Sequence, residues 1–224
     1  MSLYEVEVKS LLGEKENADA LIARMKVSDP SVACLSKNSQ LNHYFEGGDI
    51  HQLFVNTEHL FSDAQKEKLK LITEKGAHFS VRTRQKDAQV LLVVKASVDE
   101  GTSENTVTRM EFEEAASVSL DELDGLVEKS GYTYQAKWSR AREEYSFKGM
   151  NVCLDKNAGY GYLAEFEKMV TDEAGLAKAR QEIDAVMAEL GVFELSQERL
   201  ARMFDFYNKN WAEYYGTEKT FSIE

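Results

Sequence analysis

Two kinds of hydrophobic pattern interleave along this chain. In the first, apolar and polar residues alternate at every second position, which predicts strands because successive strand side chains point to opposite faces. Such stretches fall at residues 3 to 10, 41 to 46, 78 to 85, 90 to 97, 105 to 115, 132 to 146, 150 to 155 and 161 to 170. In the second, apolar residues recur at steps of three and four, which predicts helices with one apolar stripe. Ala18, Leu21, Ile22 and Met25 follow Asn17 in this way. Ser119 and Glu122 form a capping-box pattern before Leu123, Leu126 and Val127, and Gly131 is a stop. Residues 172 to 190 carry Leu176, Ile183, Met187 and Leu190 ahead of Gly191, and residues 196 to 215 carry Leu200, Met203, Phe204, Tyr207 and Trp211. Residues 62 to 75 have a weaker helical stripe, and 47 to 61 give no clear period.

The polar members of the strands are charged, with both signs on one face. Glu5, Glu7 and Lys9 oppose Val6 and Val8; Arg82 and Arg84 oppose Val81; Arg109, Glu111 and Glu113 oppose Met110 and Phe112. Asp155 opposes Val152 and Leu154, and Glu165 and Glu167 oppose Phe166. A single strand of this kind commonly turns its charges to water. Here the helical stripes also need apolar partners, and covering the strands' apolar faces would turn the charged faces toward one another. The expectation is an α+β chain: a closed eight-stranded antiparallel β-barrel, or tunnel, with helices packed on the outside. It is read as one domain over 1–224, with its core at 3–170 and a C-terminal helical part at 171–224. Buried charges need partners or metals, so such an interior implies a ligand.

Composition narrows the function. The 224 residues carry a net charge of −12, which repels nucleic acid and anionic membrane surfaces. The first residues show no basic stretch followed by an apolar run, and no segment is apolar enough to span a bilayer, so a cytoplasmic location is expected. Cys34 and Cys153 lie far apart without CxxC spacing, which argues against a disulfide framework or a zinc knuckle. No Walker-type glycine loop or nucleophile motif is present. His43, in the 41 to 46 strand, reads as an ordinary strand histidine.

Glu5-Val6-Glu7-Val8-Lys9 matches the ExExK signature of the CYTH superfamily. In order after it come Arg82-Thr83-Arg84, Lys95, Arg109-Met110-Glu111-Phe112-Glu113, Arg140-Ala141-Arg142 with Tyr145, Asp155, and Gly159 through Glu167. The series resembles the CYTH core, the triphosphate tunnel metalloenzymes, from residue 3 to about 170. That resemblance implies a tunnel whose cations grip a triphosphate and whose carboxylates hold Mg²⁺ or Mn²⁺. On it, the metal ligands are Glu5, Glu7, Glu165 and Glu167, then Glu111, Glu113 and Asp155. The phosphate ligands are Lys9, Arg82, Arg84, Lys95, Arg109, Arg140 and Arg142, with an internal ion pair an equal reading for Arg109. Lys137 is a secondary alternative on the Arg140 strand. Glu7, Lys9, Glu165 and Glu167 are the catalytic candidates.

The resemblance implies a metal-dependent triphosphatase acting on a small-molecule triphosphate, tripolyphosphate or an organic or nucleoside triphosphate. The alternatives are a class IV adenylyl cyclase making cyclic AMP from ATP, and a non-catalytic polyphosphate or nucleotide-binding module. The paired carboxylates argue against the module, because cations alone would serve a phosphate binder. The segment after residue 196 is open to two readings, a tunnel cover or a contact in a homodimer.

Overall fold

The structure is a computed structural model in which residues 4–97 and 109–223 are described. Residue 3 and residues 105 to 108, expected to be strand, lie outside the described residues. In chain order the elements are β1 (Tyr4–Gly13), α1 (Lys15–Ser28), β2 (Ala33–Gly47), α2 (Ile50–Thr57), α3 (Asp63–Lys75), β3 (Ala77–Lys86), β4 (Gln89–Ser97) and β5 (Arg109–Ala116). They continue with α4 (Leu120–Lys129), β6 (Tyr132–Phe147), β7 (Met150–Asn157), β8 (Gly161–Val170), α5 (Leu176–Glu189) and α6 (Gln197–Tyr214).

Two departures from the sequence expectation have local causes. β2 begins at Ala33 instead of residue 41, since its first half is mostly exposed and shows no apolar alternation. The unreadable stretch holds α2, which starts where the Asp49 side chain accepts from the backbone N–H groups of His51 (2.8 Å) and Gln52 (3.1 Å). An Asp cap satisfies amides that have no partner inside the helix.

The chain forms two compact units, one of residues 1–39 with 139–224, the other of residues 40–138. The strand order is β1-β8-β7-β6-β2-β3-β4-β5. This corrects the expected closed barrel. Closure requires a ladder between the first and last strands, and among the described residues β1 and β5 are not paired. The Lys9 carbonyl of β1 instead accepts from the N–H of Leu195, at 2.7 Å, in the segment after α5.

In the first unit, Val8, Val152, Leu154, Ala164 and Phe166 turn to one side of β1, β8 and β7 and pack with Leu21 and Met25 of α1 and Ile183 and Met187 of α5. In the second, Val81, Leu92, Val94 and Phe112 of β3 to β5 pack with Leu53 of α2, Leu69 and Ile72 of α3 and Leu123 and Val127 of α4. Helices thus cover the apolar strand faces, as the alternation required. Phe112 and Phe166 are fully buried, and truncating either to Ala should cost roughly 3–5 kcal/mol.

The end of the chain belongs to the first unit. After α6 it runs beside the β7–β8 turn, where Gly159 donates to the Lys219 carbonyl (3.2 Å) and accepts from Phe221 N–H (2.6 Å). Phe221 packs against Tyr160, Phe206 and Tyr214. Among the described residues no helix is long and apolar enough to cross a membrane.

Candidate functional site

With the apolar faces under helices, the opposite strand faces carry the charge. In the first unit the registers place Glu7 opposite Glu167 and Lys9 opposite Glu165 across β1 and β8. Asn151 lies opposite Glu167 and Cys153 opposite Glu165 across β7 and β8, and Arg142 opposite Asp155 across β6 and β7. The period of two thus gathers side chains from four strands on one face.

The ion pairs on this face form a chain. Lys9 contacts Glu7 and lies 3.2 Å from Glu165. Arg142 contacts Glu165 through Nη2 and grips Asp155 bidentately, Nε at 2.7 Å and Nη2 at 2.6 Å. Arg140 reaches the same Asp155 at 2.8 Å. Asp155 is only 1% exposed, so two guanidinium groups satisfy a buried carboxylate. Burial works against the Arg142 cation, but the hydrogen bond and charge of Asp155, with Glu165, outweigh it and raise its pKa. Burial likewise works against ionised Glu165, and the Lys9, Arg142 and Arg140 cations still hold it below the ordinary carboxylate value. Tyr145 is not on this face: it packs in the helix-covered core and donates to Glu143.

Glu167 accepts from Asn151 Nδ2 at 2.8 Å. Cys153, Glu165 and Glu167 bring three ligand atoms within 4.8 Å of one another. Two carboxylates directly opposite on neighbouring strands repel each other, and Glu7 and Glu167 have that relation. A divalent cation would relieve it, and carboxylate oxygens are the donors Mg²⁺ and Mn²⁺ prefer. The donor set therefore fits a hard divalent metal. Burial pushes the Cys153 thiol up to about 12, so in the resting protein it is a neutral neighbour.

The second unit has its own charged face. Lys95 is paired with Glu111 at 3.0 Å and Arg84 with Glu113 at 2.7 Å. Arg84 Nε also donates to Asn42 Oδ1 at 2.6 Å. Arg82 differs: it donates to the Tyr44 hydroxyl (3.1 Å) and stacks over the Tyr44 ring (4.7 Å), while its Nε is buried without a hydrogen-bond partner. A guanidinium N–H aimed at no acceptor suits an anionic ligand.

Of the sequence candidates, Glu7, Lys9, Arg140, Arg142, Asp155, Glu165 and Glu167 thus share the face of the first unit, and Arg82, Arg84, Lys95, Glu111 and Glu113 that of the second. The backbone of Glu5 lies opposite Met169 and that of Arg109 opposite Ser97. Lys137 lies over the ring of Tyr134, at 3.9 Å. Sequence reasoning passed over Asn42, Tyr44, Asn151 and Cys153, although strand parity with Glu165, Glu167 and the arginines could have found them. It also passed over Asp124 of α4, buried against the opposite face with His43.

The CYTH domain matches residues 3–201. No curated protein matches this sequence. Among solved structures, a conserved hypothetical protein from Pyrococcus furiosus is similar, with a TM-score of 0.57 at 17% identity over 87% of this chain and 93% of that one. A candidate adenylate cyclase from Vibrio parahaemolyticus gives 0.56 at 17% identity over 88% and 95%. A Pyrococcus horikoshii protein gives 0.55 at 21% identity over 87% and 94%. At these identities the likeness is one of fold. With the match spanning 3–201, the chain belongs to the CYTH domain family.

Proposed function

We propose that this protein is a metal-dependent enzyme that hydrolyses a triphosphate-containing small molecule. The observation that carries the reading is the alternation across β1 and β8, where an opposed carboxylate pair, Glu7 and Glu167, adjoins an opposed cation and carboxylate, Lys9 and Glu165. Phosphate binding alone would not call for opposed carboxylates; binding phosphate together with a metal would.

In this reading Glu7, Glu165 and Glu167 hold Mg²⁺ or Mn²⁺, with Glu5 as a further ligand. The metal, when bound, supplies Lewis-acid stabilisation of phosphoryl oxygens. Lys9, Arg140 and Arg142 donate to the phosphate oxygens and stabilise the charge that builds up on them as the bond to the leaving oxygen breaks. A water oxygen bonds to the terminal phosphorus, the bridging P–O bond breaks, and a strand carboxylate takes the water's proton. Asp155, with both oxygens engaged by arginines, orients those arginines. In the second unit Arg82, Arg84 and Lys95 are a further set of phosphate donors, with Glu111 and Glu113 holding two of them in place. Arg109 belongs to the same strand set.

The test is product analysis after incubation with tripolyphosphate, ATP and thiamine triphosphate in parallel, each with Mg²⁺, with Mn²⁺ and with chelator. Metal-dependent orthophosphate is expected. Cyclic AMP and pyrophosphate from ATP would replace hydrolysis by cyclisation, and binding without any product would leave a binding module.

A further inference from the structure

The second unit holds a buried polar network that the reading above does not use. Asp124 of α4 is 2% exposed. Its carboxylate lies 2.6 Å from His43 Nδ1 and accepts from the Thr83 hydroxyl at 2.5 Å and the Tyr134 hydroxyl at 2.7 Å. His43 and Thr83 are themselves 3% and 0% exposed. A buried carboxylate is costly unless its lone pairs are filled, and three donors converge to fill these.

Register explains why the network is where it is. His43 and Thr83 are direct partners across β2 and β3, and the pairs flanking them are Asn42 with Arg84 and Tyr44 with Arg82. Because strand side chains alternate, the middle pair points to α4 while both flanking pairs point to the charged face. On that face the partners touch: Arg84 donates to Asn42 and Arg82 to Tyr44. Asp124 thus ties β2 to β3 from behind, at the rung that both arginine contacts flank. A shift of the two strands along each other would break both arginine contacts at once.

We propose that Asp124 is a positioning residue for Arg82 and Arg84, acting through the His43–Thr83 rung to hold both guanidinium groups in their anion-binding orientation. The proposal rests on the phosphate-binding reading of those arginines. Tyr134 provides the contrast, for it donates to the same carboxylate without belonging to a β2–β3 rung.

The experiment measures tripolyphosphate binding by calorimetry in chelator, where no metal contributes, for the wild type and for Asp124→Asn, Thr83→Val and Tyr134→Phe. Thermal stability and the solvent exchange of the Arg84 Nε–H by NMR are followed in parallel. Asp124→Asn and Thr83→Val are expected to weaken binding about tenfold, the order that slight misplacement of binding groups produces, and to speed exchange at Arg84 Nε–H. Tyr134→Phe is expected to lower the melting temperature while leaving binding within about twofold. Unchanged affinity and exchange in Asp124→Asn would overturn the inference and leave the proposed function standing. So would equal losses of affinity in all three variants, since the effect would then follow stability. A wild type that does not bind tripolyphosphate would remove the proposed function, and this inference with it.

Discussion

Lys9 of β1 faces Glu165 of β8 across the ladder with its Nζ 3.2 Å from the carboxylate, while two residues along the same strands Glu7 faces Glu167, carboxylate against carboxylate. The first pair attracts; in the second, Glu7 contacts Lys9 and Glu167 accepts from Asn151, yet the two like charges still oppose each other. Substituting Glu167 by Gln should therefore separate stability from metal binding. In chelator the variant should be as stable as the wild type or up to about 1 kcal/mol more so, since a repulsive cross-strand pair is gone. With excess Mn²⁺ it should lose most of the stabilisation that a ligand bound only to the folded state gives the wild type. Thermal melts with and without Mn²⁺ decide this, and equal Mn²⁺ stabilisation in both proteins would exclude Glu167 as a ligand.

Asp155 should behave differently, because both its oxygens are occupied by Arg140 and Arg142. Asp155→Ala leaves two part-buried cations without their shared partner, and breaking such a pair costs about 3–5 kcal/mol. Urea unfolding in chelator should show a loss of that size whatever the metal. A loss below about 1 kcal/mol would mean that water or Glu165 takes over the arginines.

The contrast between these sites shows what the sequence could and could not reveal. Strand parity sorted Glu7, Lys9, Glu165 and Glu167 onto one face, because a period of two survives any error in strand ends. The same argument required helices over Val8, Phe112 and Phe166, and the structure has them. Barrel closure was not legible, because whether β1 meets β5 depends on long-range pairing that no local pattern encodes, and the Lys9 carbonyl bonds instead to Leu195. The start of β2 was hidden because exposed residues from Ala33 onward are held by backbone ladders, which leave no hydrophobic trace. Asp124 was hidden for another reason: a carboxylate on an amphipathic helix reads as solvated, and only the packed structure shows that it meets His43 and Thr83.

The pH dependence of Asp124→Asn follows from its surroundings. Burial works against the ionised form, yet hydrogen bonds from His43, Thr83 and Tyr134 together hold the Asp124 carboxyl below its ordinary value. A folded value below the unfolded one means the ionised group stabilises the fold above the unfolded value of about 3.9, and that this stability is lost as pH falls through the folded value. At pH 7 the wild type should exceed Asp124→Asn by about 1.5–3 kcal/mol, the range for hydrogen bonds to a charged group. The gap should narrow below about pH 4. His43 and Tyr134 are titratable groups in contact with it, so His43→Gln should be compared over the same range. A gap unchanged from pH 7 to the acid limit would show that the charge of Asp124 contributes nothing.

Gly159, in the β7–β8 turn, has φ +89°, and a Cβ there would stand 2.8 Å from both Phe221 and Tyr207. Tyr207 is fully buried and cannot give way cheaply. Gly159→Ala should therefore cost about 1–3 kcal/mol from overpacking, in addition to the strain of a left-handed alanine. It should also loosen the terminal segment at Thr220 and Phe221. Limited proteolysis is the readout: cleavage after residue 216 at the wild-type rate would mean the tail does not depend on this contact.

Arg82 and Arg84 are neighbours on one strand face with opposite dependence on their surroundings. Arg84 balances Glu113, so Arg84→Gln strands a carboxylate and should reduce both stability and phosphate affinity. Arg82 has Tyr44 as its contact and a buried Nε without a partner. Arg82→Gln removes that unsatisfied donor, along with a cation–π contact of only about 0.5–2 kcal/mol. The folded protein should lose less than about 1 kcal/mol. If Arg82 is held ready for an anion, tripolyphosphate affinity should nevertheless fall about tenfold or more, the loss of one charge-assisted hydrogen bond of about 1.5–3 kcal/mol. Urea unfolding and calorimetric titration on the same preparation give both numbers. A stable Arg82→Gln protein with undiminished affinity would show that the buried Nε faces no phosphate, and would move the phosphate grip of this unit to Arg84 and Lys95.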